Sequence, residues 1–338
     1  MVDLGDLGRA SANMLKINMG LKEGESVLFV TDVPSVDIWM KTNQVVLSEL
    51  VSRPLLVKEI TELMVKEFPH NKIDFLSFPL TGSNGAEPPD EIAEKFLGYD
   101  VLMLMTSFSL SHTDARQNAN ERGARIASMP GFEAGMFAAG GPMAANYDRI
   151  GEESVRWAEL LTNGNQVHVT SPFGTDLSFS ISGRKGDADS GLYREKCSWG
   201  NLPAGEAYIT PVEGTAQGKL VVPAGWYPGL KETMILTFVD GYVTSLTGGG
   251  EVGAEFIKTL DFTNPELKHR RNCAELGIGT NPNAVRTDNI LEAEKIRGTI
   301  HIAIGDSKHM GGLTESDLHE DFVLTQPVVI LDGKKIIG

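Results

Sequence analysis

Ser26-Val-Leu-Phe-Val-Thr-Asp32 is a continuous apolar run that ends in an acid. Strands buried on both faces of a parallel sheet have this pattern. The segments around it alternate helix and strand signals. Residues 8–18 read as an opening helix. Within 55–68, Leu56, Ile60, Leu63, Met64 and Phe68 share one helical face. Strands are predicted at 73–78, 101–105 and 125–129, with helices at 91–97, capped by Asp90, and near 114–122. This βαβα order predicts an open, mostly parallel sheet with helices. Ligands of such sheets sit beyond the carboxyl ends of the strands. Asp32 and Thr106-Ser-Phe-Ser-Leu-Ser-His-Thr113 fall there. His112 is either a solvated loop residue or a substrate-binding wall of a cleft shared with a second domain.

Residues 130–150 are rich in glycine and alanine and read as a connector, followed by a helix at about 151–162. From Val167 onward the signals are β. Asp240-Gly241 and Asp332-Gly333 each separate two apolar runs as hairpin turns do. One helix is predicted at 288–296. The expected fold is α/β plus α+β, with the boundary between 150 and 165. Residues 1–155 form an α/β domain lining the cleft, and 156–338 a β-rich metal-binding domain.

The chain has 338 residues, which suits two domains. Its net charge of −15 argues against a nucleic-acid partner. Cys197 and Cys273 form no CxxC pair and read as buried or semi-buried thiols of a reducing compartment. No stretch approaches the ~18 apolar residues of a membrane span, and the N-terminus lacks a basic leader. A cytoplasmic protein without a membrane partner is expected.

Four segments carry chemistry: Asn201-Leu-Pro-Ala-Gly-Glu206, Glu275-Leu-Gly-Ile-Gly-Thr280, His301-Ile-Ala-Ile-Gly305 and His319-Glu-Asp321. In a strand over 298–305, Ile300, Ile302 and Ile304 take one face and His301 and Ala303 the other. His301 is then a hydrogen-bonded structural residue or a ligand with room beside its ring. His319 and Asp321, two apart in extended chain, share a face and can grip one ion. Glu206 reads as a hairpin glutamate or a ligand, and Glu275 as a loop acid or a ligand beside two permissive glycines. Three carboxylates and two imidazoles suit a pair of divalent metals and the water between them, which is hydrolytic chemistry. No HExxH, GxSxG, P-loop or strand-linked GxGxxG is present, and Gly248-Gly-Gly250 reads as a turn.

Together these segments, with Leu21-Lys-Glu-Gly-Glu-Ser-Val-Leu-Phe-Val-Thr-Asp32 and Ser109-Leu-Ser-His-Thr-Asp-Ala-Arg116, resemble the aminopeptidase T / aminopeptidase S family of metallopeptidases over nearly the whole chain. The resemblance implies a homodimeric hydrolase that removes N-terminal amino acids from peptides. It implies two divalent ions (zinc, cobalt or manganese) held by Glu206, Glu275, His301, His319 and Asp321. Either Glu206 or Glu275 would double as general base, with Glu206 preferred. The chain departs from that pattern after His301, where the family's tyrosine is replaced by Lys308 with His309 beside it. Lys308 would then stabilise the oxyanion or mark a metal-binding homologue without turnover. The chain is also short between His301 and His319. The same fold family holds a rival, a ring-cleaving 2,5-dihydroxypyridine dioxygenase with a single ferrous ion in a two-His-one-carboxylate site. His319 and Asp321 would serve it. That enzyme has histidine in place of Glu275 and lacks the Glu206 and His301 counterparts, so this reading leaves three ligand-type residues without a purpose.

Overall fold

The computed structural model describes residues 2–338. Its strands are, in chain order, β1 (Ser26–Val33), β2 (Lys72–Pro79), β3 (Val101–Leu104), β4 (Arg125–Ser128), β5 (Gln166–Thr170), β6 (Asp176–Ser180), β7 (Asp187–Asp189), β8 (Trp199–Asn201), β9 (Glu206–Ile209), β10 (Gln217–Val222), β11 (Met234–Val239), β12 (Tyr242–Gly248), β13 (Cys273–Gly279), β14 (Ile300–Gly305), β15 (His319–Leu324), β16 (Val328–Leu331) and β17 (Lys334–Ile337). The α-helices are α1 (Leu4–Asn13), α2 (Val36–Lys41), α3 (Gln44–Glu67), α4 (Asp90–Phe96), α5 (Asp114–Glu121), α6 (Tyr147–Thr162), α7 (Gly250–Leu260) and α8 (Ile290–Ala293). None is long and apolar enough to cross a membrane.

The chain divides into two compact units. The first runs to Asp148 and takes back Gly191–Ala204; the second comprises Arg149–Ser190 and Gly205–Gly338. In the first, β2-β1-β3-β4-β8 form a five-stranded sheet whose neighbours are all parallel. β3 is apolar throughout, as strands of sheets covered on both faces are; β3 and β4 are buried along their whole length, the latter with Arg125 and Ser128 among its residues. Leu28, Val30, Leu102, Leu104 and Ile126 pack with Ile92 and Phe96 of α4 and Ala115 and Ala119 of α5. The helix predicted from residue 55 starts at Gln44, because the Asn43 carboxamide accepts from the Val45 and Val46 amides and caps it there. Asp90 is not a cap. It lies in the first turn behind Pro89, where its charge meets the positive helix end.

The second unit is antiparallel. A seven-stranded sheet, β12-β11-β10-β6-β5-β16-β17, and a five-stranded sheet, β15-β14-β13-β9-β7, contribute to one apolar core. Phe179, Leu220 and Leu236 of the larger sheet join Leu276, Ile302 and Phe322 of the smaller one in that core. The fold is thus mixed α/β, with a parallel sheet plus antiparallel sheets. Both aspartate-glycine pairs turn hairpins with positive φ at both residues. The helix predicted at 288–296 contracts to Ile290–Ala293. Both cysteines are free; Cys273 is buried, but Cys197 is exposed, on the stretch that returns to the first unit.

Candidate metal centre

The register of the five-stranded sheet assembles the site. Residue pairs across it are Gly279 with Glu206, Gly277 with His301, Glu275 with Ala303, Ala303 with Asp321, and Gly305 with His319. Side chains alternate between faces. Leu276, Ile278, Ile300, Ile302, Ile304 and Phe322 therefore go to the core, while Glu206, Glu275, His301, His319 and Asp321 share the opposite face. The five residues lie on four strands, up to 115 positions apart (321 − 206).

Two glycines of β13 make this arrangement possible. A Cβ on Gly277 would lie 2.0 Å from His301 Cε1 and Nε2, so the imidazole rests where a side chain would otherwise stand. A Cβ on Gly279 would lie 2.2 Å from the Ile296 carbonyl oxygen. That contact lets the 294–296 segment cross the end of the sheet.

The donor atoms are close. His301 Nε2 is 3.3 Å from Glu275 Oε1, 3.5 Å from Glu206 Oε2 and 3.9 Å from Asp321 Oδ1. His319 Nε2 is 3.2 Å from Glu275 Oε2 and 3.7 Å from Asp321 Oδ1. Ligand atoms around an ion at ~2.1 Å lie about 3 Å apart in octahedral geometry, so small movements would close the set on a cation. Two overlapping groups result: Glu206, Glu275 and His301, and Glu275, His319 and Asp321. His319 Nδ1–H donates to the Asp306 carbonyl at 2.8 Å, which turns Nε2 toward the centre, where a bound cation would replace its proton.

Charge states report the same crowding. Burial alone would depress His301, but its hydrogen bond to Glu275 and the charges of Glu206, Glu275 and Asp321 push it up to about 9. Burial would likewise depress His319; Asp321 and Glu275 hold it well above the ordinary value. Burial opposes ionisation of Glu275, yet the hydrogen bonds from both imidazoles hold it well below the usual carboxylate range. Burial raises Glu206 to about 8 against Lys295 and His301. The imidazoles act here as the cations the carboxylates require, a role that a divalent ion would also fill. Buried Glu206 Oε2, His301 Nδ1 and Asp321 Oδ1 have no hydrogen-bond partner. Buried polar atoms are normally paired, so the unmet carboxylate oxygens fit a metal.

The other predicted site residues are not among the grouped donors. Lys308 is exposed and ion-paired with Glu315, so it is not drawn into the cluster. His309 bonds to Asp306, with its ring 5.2 Å from that of His319. His112 belongs to the other unit, where its ring meets the edge of Trp199 at 6.1 Å. Sequence reasoning missed Lys295, 2% exposed, which donates to Glu206 Oε1 at 2.6 Å and to Glu294 Oε2 at 2.8 Å. It also passed over Tyr208, two places along β9 from Glu206. Burial, and then the charges of Asp187, Glu275, Asp189 and Glu206, raise the Tyr208 phenol far above its ordinary range and keep it protonated.

Comparison with known proteins decides what this geometry alone does not. A family model for 2,5-dihydroxypyridine 5,6-dioxygenase matches residues 15–338. A curated 2,5-dihydroxypyridine 5,6-dioxygenase of Pseudomonas putida is 25% identical over 194 residues, 53% of this chain and 54% of that protein. The matched stretch thus spans about half the length of that relative. Among solved structures, 2,5-dihydroxypyridine dioxygenase from Pseudomonas putida KT2440 aligns over 100% of this chain and 96% of its own, with a TM-score of 0.73 and 18% identity. Wild-type AmpT from Thermus thermophilus aligns over 98% and 97%, with 0.65 and 14%. At such identities both structures attest the fold alone. These matches overturn the assignment to the aminopeptidase T / aminopeptidase S family, and with it the hydrolase activity, the protease description and the peptide substrates. The donor residues behind that assignment are all present, but their types suit one metal or two and do not choose between the chemistries. From residue 15 to its end, the chain belongs to the 2,5-dihydroxypyridine 5,6-dioxygenase family.

Proposed function

We propose that this chain is a metal-dependent dioxygenase that opens the ring of a small hydroxylated nitrogen aromatic, with one ferrous ion at His301, His319, Asp321 and Glu275. The observation that carries this is the convergence of two imidazoles with carboxylates whose buried oxygens lack partners, in a chain whose family model is that of such an enzyme. Two imidazoles and a carboxylate with open positions are the donor set of non-haem ferrous oxygenases. When bound, the ion supplies the one-electron chemistry that lets dioxygen react with an electron-rich ring.

The chain's own residues set the geometry. His319 is held by the Asp306 carbonyl with Nε2 toward the centre. The His319 and Asp321 side chains are 21% and 14% exposed, against 1% and 7% for His301 and Glu275. Substrate therefore approaches on the His319–Asp321 side, and Glu275 and His301 form the closed wall. The protonated Tyr208 phenol on the same sheet face is available to donate to a ring oxygen. Glu206, held by Lys295, supports the wall rather than a second ion. Two divalent ions per chain is the competing count.

Anaerobically loaded protein should hold one iron per chain and consume dioxygen as a dihydroxypyridine loses its ring absorbance. No uptake across dihydroxypyridines and dihydroxybenzenes with iron(II) in excess would reject the proposal.

A further inference from the structure

We infer that Lys295 is a built-in cation standing where a second metal ion would otherwise bind, and that it limits the centre to one ion. This rests on the single-ion reading above and adds the cause. The cluster has two overlapping groups of donors, and both include Glu275. Besides burial, they differ in the cation set against them. The Glu206, Glu275 and His301 group has an ammonium against it, since Lys295 Nζ contacts Glu206 Oε1 at 2.6 Å. The Glu275, His319 and Asp321 group forms no ion pair with a lysine or arginine among the described residues; its pairs are between its carboxylates and imidazoles.

Lys295 is held in place. Its side chain is 2% exposed. Its carbonyl accepts from the Asn281 amide at 2.8 Å, and its own amide donates to the Glu292 carbonyl at 3.1 Å. Glu294 supplies a second carboxylate to the ammonium at 2.8 Å. Gly279 lets this segment lie against the sheet end, because any Cβ there would strike the Ile296 and Glu294 carbonyl oxygens. Two charge-assisted hydrogen bonds satisfy a buried ammonium that would otherwise be costly. A divalent ion on Glu206 would share that carboxylate with a fixed positive charge where water is excluded and screening is weak. The lysine thus gives Glu206 the compensation that a second ion would give, and the ion is left to the exposed end of the cluster.

Cobalt(II) titration followed by elemental analysis tests this on the full chain. Wild-type protein should bind one ion. Lys295→Met and Lys295→Gln should each bind two, with a second calorimetric step. Lys295→Arg, which keeps the charge, should stay at one, and Lys295→Met combined with Glu206→Gln should return to one. Two ions in wild-type protein would defeat the single-ion reading itself. One ion in wild type and still one in both neutral variants would defeat the role of Lys295 alone. Where a neutral variant loses its fold without metal, the count is taken after folding in excess cobalt(II). Failure to recover folded, metal-bound protein there also counts against the inference, because a second ion should replace the lost charge.

Discussion

Gly277→Ala isolates the contact that positions His301. The added Cβ would fall 2.0 Å from two ring atoms of His301, whereas carbon atoms in contact sit at about 3.5–4.0 Å. The ring must then retreat by about 1.5 Å. Gly277 does not have positive φ, so alanine brings no backbone strain and the effect is steric. Overpacking of a filled site costs ~1–3 kcal/mol, and a displacement of this size removes Nε2 from the donor set. The assay is a double-mutant cycle of Gly277→Ala and His301→Ala, read by denaturant unfolding in chelator and by iron(II) affinity. The single glycine variant should lose ~1–3 kcal/mol of stability and at least tenfold in affinity. In the His301→Ala background the stability loss should nearly vanish, because the clashing ring is gone; contacting pairs couple by ~0.5–3 kcal/mol. A Gly277→Ala protein within ~0.5 kcal/mol of wild type, or an equal loss in both backgrounds, would refute the account of how the ring is seated.

Other outcomes follow from the same geometry. Asp321→Asn should abolish metal binding at stoichiometric iron while far-ultraviolet circular dichroism stays unchanged; retained binding would remove Asp321 from the donor set. Metal removal should lower stability, since a bound ion at a hundredfold excess over its Kd contributes ~2.7 kcal/mol; equal melting temperatures with and without chelator would argue against a buried centre. Lys308→Ala should leave metal affinity unchanged and alter stability by less than ~0.5 kcal/mol, as exposed ion pairs contribute little; a large loss of affinity would place Lys308 at the centre after all. Asp100 has its carboxyl held below the ordinary value, first by the Ser26 amide. Its contribution is therefore present above the unfolded pKa of ~3.9 and lost as pH falls through the lower folded value. Unfolding midpoints of Asp100→Asn and wild type should differ at pH 7 and converge in that acid window; a constant offset would contradict the assignment.

Much of the second unit was legible locally. Ile300, Ile302 and Ile304 against His301 and Ala303 is a period-two pattern, and the structure keeps it. Glu275 was ambiguous because Gly277 and Gly279 suggest a turn, whereas they lie in β13 to make room for His301 and the 294–296 segment. The return of Trp199–Asn201 to the parallel sheet left no mark, since three residues carry no periodicity. Gly248-Gly-Gly250 is not a separate turn: Gly248 ends β12, Gly249 caps and Gly250 opens α7, all three with positive φ, and the amphipathic pattern of α7 went unread. Lys295 was invisible because its partner Glu206 is 89 positions away and a charged pair near a short helix looks solvated. The activity was misjudged for a chemical reason. Carboxylates and imidazoles in this order accommodate hydrolytic and oxidative metals alike, so the residue set points to a candidate centre and does not choose the reaction.

Isotope labelling separates those two reactions most directly. Iron-loaded protein is given a dihydroxypyridine under ¹⁸O₂ in ordinary water, and the product is analysed by mass spectrometry. A ring-opened product carrying both labelled atoms is the predicted result. An intact ring, or a product whose new oxygen comes only from water, would contradict the assignment of this centre to a dioxygenase.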